Sequence, residues 1–258
     1  MLTELMAGAR DDALDRRELL SLAKVETFAL AAPPALDALG ALAPSDTVKI
    51  IAEIKRASPS RGAMADIPAP ATLAQLYEQG GASAVSVLTE GRRFGGSMAD
   101  LEAVRSAVAI PVLRKDFISD PYQVFEARAA GADLVLLIVA ALSDRELSSL
   151  HTLITELGMI ALVETHSADE VDRAVALGAA LIGVNARNLS TFELDRDLFA
   201  SLVDRLPSDA IKVAESAVRS AADVAHYRRA GADVVLVGEA LVTGGDPVAA
   251  LREFRAAA

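Results

Sequence analysis

The stretch Gly131-Ala132-Asp133-Leu134-Val135-Leu136-Leu137-Ile138-Val139 is a small-residue turn that runs directly into six consecutive aliphatic side chains. A glycine just past a helix suits a left-handed C-terminal cap. An unbroken apolar run, rather than an alternating one, suits a strand buried on both faces of a parallel sheet. The same signature recurs at Gly81-Ala82-Ser83, Gly178-Ala179-Ala180 and Gly231-Ala232-Asp233, at successive spacings of 50, 47 and 53 residues. These turns introduce the runs Ala84–Leu88, Leu134–Val139, Leu181–Val184 and Val234–Val237. Four more runs, Val48–Ile54, Ile110–Leu113, Ile160–Val163 and Ile211–Val213, fall between them. Stretches of helical period, such as Leu101-Val104-Val108 and Val171-Ala174-Val175, separate the runs. Four copies of a two-βα repeat make eight parallel strands, which predicts an α/β fold, a (β/α)8 TIM barrel of the usual length near 250 residues. The alternative is an open doubly wound sheet, which usually carries a G-x-G-x-x-G fingerprint after its first strand; no such motif occurs.

The barrel begins near Val48, so residues 1–47 need another place. Leu5, Ala9, Ala13 and Leu14 fall on one helical face with Arg16 and Arg17 off it, and Pro33, Pro34 and Pro44 break the chain between that helix and the barrel. We expect a helical extension (1–47) packed on the barrel (48–258), forming a single domain.

Composition excludes several classes. The 258 residues include 36 acidic and 25 basic side chains, for a net charge of −11, and no cysteine. A disulfide framework, thiolate zinc site and cysteine nucleophile are ruled out, and a nucleic-acid partner is disfavoured for want of a basic face. The longest apolar run, Ala174 to Val184, falls short of the roughly 18–20 residues that span a bilayer. The first residues lack a basic segment followed by an apolar core. A soluble, cytoplasmic protein with no membrane partner is expected.

Active sites of barrel enzymes lie at the C-terminal strand ends. By the period of two, Ile51, Glu53 and Lys55 share one face, as do Leu113, Lys115 and Phe117; Leu162 and Glu164; Gly183, Asn185 and Arg187; and Val213 and Glu215. If these faces point inward, Glu53, Lys55, Lys115, Glu164, Asn185 and Glu215 meet at one rim. A single charge at a strand end is ordinarily just a solvated edge. Here, though, two of only five lysines, against twenty arginines, stand at such ends, and lysine offers a tunable proton for acid–base work. Ser216 and Gly238 follow the seventh and eighth strands, where barrels commonly bind phosphate, with Lys55 and Arg187 as local cations. The histidines show no zinc-ligand spacing; His166 reads as a loop residue after the fifth strand. Arg92–Ser97 reads as a mobile glycine-containing loop.

The stretches Ile51–Gly62, Ser86–Ser97, Pro111–Gln123, Ala161–His166, Gly183–Leu189, Val213–Ser216 and Val237–Thr243 together resemble the indole-3-glycerol phosphate synthase family. The match runs in order along nearly the whole chain, extension included. It implies conversion of 1-(o-carboxyphenylamino)-1-deoxyribulose 5-phosphate to indole-3-glycerol phosphate with loss of CO2 and water, using no metal or organic cofactor. By the same resemblance Lys115 is the general acid and Glu164 handles protons in dehydration. Lys55 contacts the substrate's carboxylate and phosphate and shares the acid role, while Glu53, Asn185 and Glu215 orient substrate and lysines. Ser58, Arg187, Ser216, Gly238 and Glu239 match substrate or phosphate positions, and Phe94, Phe117, Leu136 and Ile138 the apolar ring pocket. One position departs: Ala217 stands where the family usually has glycine. A positive φ there costs alanine roughly 1 kcal/mol or more; a negative φ leaves only a methyl crowding the phosphate.

The expected partner is a small phosphorylated molecule, and the protein a monomer or weak homo-oligomer. Two other readings are a Schiff-base aldolase using Lys115 or Lys55, and a non-catalytic phospholigand-binding barrel motivated by Ala217. Phosphoribosylanthranilate isomerase, which relies on a cysteine, does not fit.

Overall fold

A computed structural model describes residues 1–188 and 191–257; Leu189, which ends one of the family-like stretches, lies outside the described residues. Eight parallel strands, β1 (Lys49–Ile54), β2 (Ala84–Leu88), β3 (Val112–Lys115), β4 (Leu134–Ile138), β5 (Ile160–Thr165), β6 (Leu181–Asn185), β7 (Ile211–Glu215) and β8 (Val234–Val237), close into a barrel in chain order. The closure pairs Lys49 with Val234 through Ala52 with Val237.

Side-chain parity divides the core. Ile51, Leu113, Leu136, Leu162, Val213 and Leu236 form one buried cluster inside the barrel. Their chain neighbours Ile50, Ala52, Val112, Val135, Leu137, Val163 and Val235 belong to a second cluster against the surrounding helices. Those helices include α4 (Pro70–Gly80), α5 (Met98–Ala107), α6 (Pro121–Ala129), α7 (Asp144–Glu156), α8 (Ala168–Ala176), α9 (Leu198–Leu202), α10 (Ala221–Arg229), α11 (Glu239–Thr243) and α12 (Pro247–Ala256). Each even-numbered strand is entered through the repeated glycine, and Gly81, Gly131, Gly178 and Gly231 all have φ between 76° and 97°, the left-handed region that ends a helix at no steric cost.

Several strands run further than their apolar stretches. β3 starts two residues later than expected, after Pro111, which has no N–H for the ladder, and continues through Arg114 and Lys115. β5, β6 and β7 likewise extend through Glu164, Asn185 and Glu215. Parallel neighbours supply backbone partners whatever the side chain, so polarity does not end a strand inside a closed barrel.

The extension forms α1 (Leu2–Leu19), α2 (Leu22–Ala31) and α3 (Ala38–Leu42). Leu5 and Ala9 of α1, and Ala38 and Leu42 of α3, join the cluster inside the barrel. Ala13 and Val25 pack with Tyr122 of α6, whose hydroxyl donates to Leu20 O at 3.0 Å. The expected face of α1 needs one correction. Leu14 is 51% exposed, and Gly8 is buried with Leu5, Ala9 and Ala13. Arg16 turns toward the barrel instead, with Nε 2.5 Å from Glu126 Oε1. Glu126 Oε2 also accepts from the fully buried Arg114 at 3.3 Å, and Arg114 Nη2 donates to Asp116 Oδ2 at 3.0 Å. A buried carboxylate can hold an arginine that periodicity alone would send to solvent.

This network predicts that Glu126→Gln destabilises the fold by about 2–4 kcal/mol, because it leaves buried Arg114 short of an anion. Arg16→Ala is expected to cost about 1 kcal/mol. Chemical denaturation checks both, and a Glu126→Gln variant as stable as its parent refutes the assignment.

Candidate active site

All sixteen residues singled out from the sequence line one cavity at the C-terminal mouth of the barrel. Strand parity delivers the polar ones. Glu53, Lys115, Glu164, Asn185 and Glu215 continue the inward rows of Ile51, Leu113, Leu162, Gly183 and Val213.

Lys115 stands at the centre. Its Nζ donates to Glu164 Oε2 at 3.1 Å and to Glu215 Oε2 at 3.0 Å. Burial would lower the Lys115 ammonium, but Glu164, Glu215 and Glu53 outweigh it and hold the pKa well above the ordinary lysine value. Burial also works to raise Glu164. Lys115 and His166 prevail and keep its carboxyl below the usual range. Glu215 goes the other way: burial, opposed by Lys115 and reinforced by the Glu164 charge, pushes it up to about 8. One buried cation supports one buried anion, so the second carboxylate keeps its proton. Two glycines make room for these acids. A Cβ on Gly183 would stand 2.1 Å from Glu215 Oε1, and one on Gly238 2.6 Å from Glu53 Oε1.

Lys55 pairs with Glu53 at 2.6 Å. Asn185 Oδ1 accepts from Ser216 Oγ at 2.8 Å and from the Arg187 N–H at 3.0 Å, tying the ends of β6 and β7 together. On the apolar side the Phe94 and Phe117 rings lie 6.0 Å apart at 45°, with Leu136 and Ile138 beside them.

Cations gather at the opposite end. Arg187 and Arg219 line the cavity, and Arg61 pairs with Glu239. Burial lowers the Arg187 pKa, Glu239 opposes the change, and Arg61 and Arg219 add to it. Crowded guanidiniums of this kind gain from an incoming anion. The backbone beside them is strained: Ser216 and Ala217 have φ of 70° and 57°, so the first of the two alternatives for Ala217 applies.

Some expectations change. His166 does lie in the short bend between β5 and α8, as expected, but its side chain is only 10% exposed rather than free in solvent. The Arg92–Ser97 loop is held in place: the Glu90 carboxylate accepts from the N–H groups of Arg92, Arg93 and Phe94 at 2.8 to 3.0 Å, and Arg92 pairs with Asp12. Sequence reading missed Leu2, Leu5, Phe192, Leu194 and Arg219, which also line the cavity. Only Arg219, three residues past Ser216, offered a signal. Among the described residues no group of three or more His, Asp or Glu side chains is arranged to hold a metal ion.

An indole-3-glycerol phosphate synthase family model matches residues 2–254. The indole-3-glycerol phosphate synthase of Leifsonia xyli subsp. xyli (strain CTCB07) is 70% identical over 255 residues, covering 99% of this chain and 98% of that protein. The Micrococcus luteus protein of the same name is 57% identical over 261 residues, with coverage of 100% and 97%. Among solved structures, a 3-hexulose-6-phosphate synthase superposes with a TM-score of 0.65 at 21% identity, over 81% of this chain and 99% of that one, a likeness of fold alone.

The geometry makes two outcomes testable. Ala217→Gly relieves a left-handed alanine and is expected to raise stability by up to about 1 kcal/mol, seen as a higher Tm; an unchanged or lower Tm contradicts the strain. Difference infrared spectroscopy should find a protonated carboxyl at about pH 6 that fades as pH rises through about 8 and is absent in Glu215→Gln. A band that persists in that variant assigns the proton elsewhere.

Proposed function

The chain belongs to the indole-3-glycerol phosphate synthase family, and from that premise we propose how its residues carry the reaction. The activity is that of a carboxy-lyase of tryptophan biosynthesis. It closes 1-(o-carboxyphenylamino)-1-deoxyribulose 5-phosphate to indole-3-glycerol phosphate with release of CO2 and water. The observation that carries the residue assignment is the Lys115 ammonium held between Glu164 and Glu215 at the edge of an apolar cavity.

Ring closure joins the ring carbon that bears the carboxylate to the carbonyl carbon of the ribulose chain. The carbonyl oxygen gathers charge as the bond forms and takes a proton from Lys115, a donor already aimed in a water-poor site. A lysine kept protonated by two acids is suited to this role and unsuited to Schiff-base attack, which needs the free amine. Breaking the bond to the carboxylate carbon releases CO2 and returns the electron pair to the ring system. Phe94, Phe117, Leu136 and Ile138 favour that step, since a carboxylate among apolar groups is destabilised relative to neutral CO2. Dehydration then needs one proton delivered to the departing hydroxyl and one removed from the indoline. Glu164 is the base, and Lys115 or Lys55 the acid. Two protons enter and one leaves; solvent makes up the difference.

Lys55, paired with Glu53, is assigned to the substrate carboxylate and to the second acid role. Asn185 and Glu215 orient the lysines and substrate. Ser58, Arg187, Ser216, Ala217, Gly238 and Glu239 surround the phosphate, with Arg219 as a further cation. The ion pair with Arg61 offsets the Glu239 charge beside that phosphate. Leu2 and Leu5 of the extension bound the same cavity, which supports treating residues 1–47 and 48–258 as one catalytic domain. The reading extends to a cytoplasmic monomer or weak homo-oligomer, and the net charge of −11 supports the lack of a nucleic-acid partner.

Indole fluorescence after addition of the carboxyphenylamino-deoxyribulose phosphate tests the whole reading, and a chain with no tryptophan leaves the product signal clear. Lys115→Ala and Glu164→Gln are expected to lower kcat by about 10²- to 10⁴-fold while the fold persists. Parental rates in either variant remove its assigned role.

A further inference from the structure

Glu164 and Glu215 bind Lys115 at nearly equal distances, 3.1 and 3.0 Å. Both sit at strand ends on the inward face, and both are buried. By these contacts alone either could be the ionised partner. The difference lies at the far oxygens. Glu215 Oε1 is buried with no hydrogen-bond partner among the described residues. Glu164 Oε1 instead lies 3.3 Å from His166 Nε2, an ion-pair distance without hydrogen-bond alignment.

His166 does not line the cavity. It borders a separate cleft beside α8. Its Nδ1 lies 3.2 Å from Glu170 Oε2, which also accepts the His166 backbone N–H at 2.8 Å. Glu170 is itself set in place at the start of α8, where the Ser167 hydroxyl accepts its N–H at 3.3 Å. Both ring nitrogens therefore face carboxylates. A neutral imidazole can donate from only one of them, whereas an imidazolium serves both. The other titratable side chains bordering the cleft, Glu193 and Asp195 from the segment after β6, are acidic too.

We propose that His166, clamped by Glu170, is a positioning residue that assigns the proton of the Lys115-bridged pair to Glu215 and so leaves Glu164 free to act as the base. The inference rests on the assignment of Glu164 as the base. The local electrostatics agree with the geometry: burial lowers the His166 pKa, but Glu164 and Glu170 outweigh it and bring it up to about 9.

In His166→Gln the proton divides between the two carboxylates, and part of the enzyme holds Glu164 in the wrong state. The expected kcat is about tenfold below parent at about pH 6.5. It recovers to within about twofold at about pH 9.5, where the remaining proton has left the pair and Glu164 is ionised in any case. Glu170→Gln moves the profile the same way by less. A loss of equal factor at every pH, or none, overturns the proposal. Nitrogen-15 NMR of the unaltered protein gives a test independent of any variant. His166 should carry protons on both ring nitrogens at about pH 7.5, and a neutral ring there also overturns it. Glu164→Gln separates the two levels: parental turnover in that variant removes the base assignment itself, while the NMR result still reports whether His166 holds its charge.

Discussion

The site is organised around a charge largely withdrawn from water. Lys115 sits inside the mouth of a closed barrel, where burial works to lower its pKa. Glu164 and Glu215 keep it protonated, at the cost of placing two acids within reach of one cation. In a medium of low dielectric such a cluster is stable only near neutrality. One acid gives up its proton and the other retains it. The unlike protonation of the two carboxyls beside Lys115 is thus a consequence of burial and not of two separately tuned groups. Gly183 and Gly238 serve the same constraint by leaving space for Glu215 and Glu53.

The cationic end, proposed above to take the phosphate, obeys a different logic. A protein of net charge −11 repels an anionic substrate at long range, so attraction must come from contact. Arg187, Arg219 and Arg61 crowd together there, and their mutual repulsion is relieved when an anion arrives. The adjoining backbone at Ser216 and Ala217 is held in the left-handed region, strain of a kind that concentrates at ligand-binding loops. Over the apolar end, α1 brings Leu2 and Leu5 to the cavity and is anchored by the chain of charge from Arg16 through Glu126 to Arg114 and Asp116. The extension's stability and the shape of the cavity's apolar end are therefore linked.

The barrel was legible in the sequence because its determinants are local and repeated. A glycine that must adopt positive φ, followed by an apolar run, marks every second strand. The inward rows were legible for the same reason: parity in a strand is strict, so Glu53, Lys115, Glu164, Asn185 and Glu215 had to share a side once their apolar neighbours were assigned. The exact strand bounds were less legible, since the apolar runs stop before Glu164, Asn185 and Glu215 while parallel neighbours carry the ladders through them. The face of α1 was misjudged at Leu14 and Arg16 because the partner that draws Arg16 inward is 110 residues away.

By itself, then, the sequence determined the strand count, the repeat, the rows that converge on the mouth, and through a resemblance along the chain the reaction family. All but the last depend on spacing within a few tens of residues. Only the tertiary structure decided how the charges divide. That Lys115 is shared by two acids, that His166 stands behind one of them, that three arginines meet and that Ala217 is left-handed all depend on which distant segments come within a few ångströms. Electrostatic effects between buried groups grow as that separation falls, and no pattern along the chain encodes it.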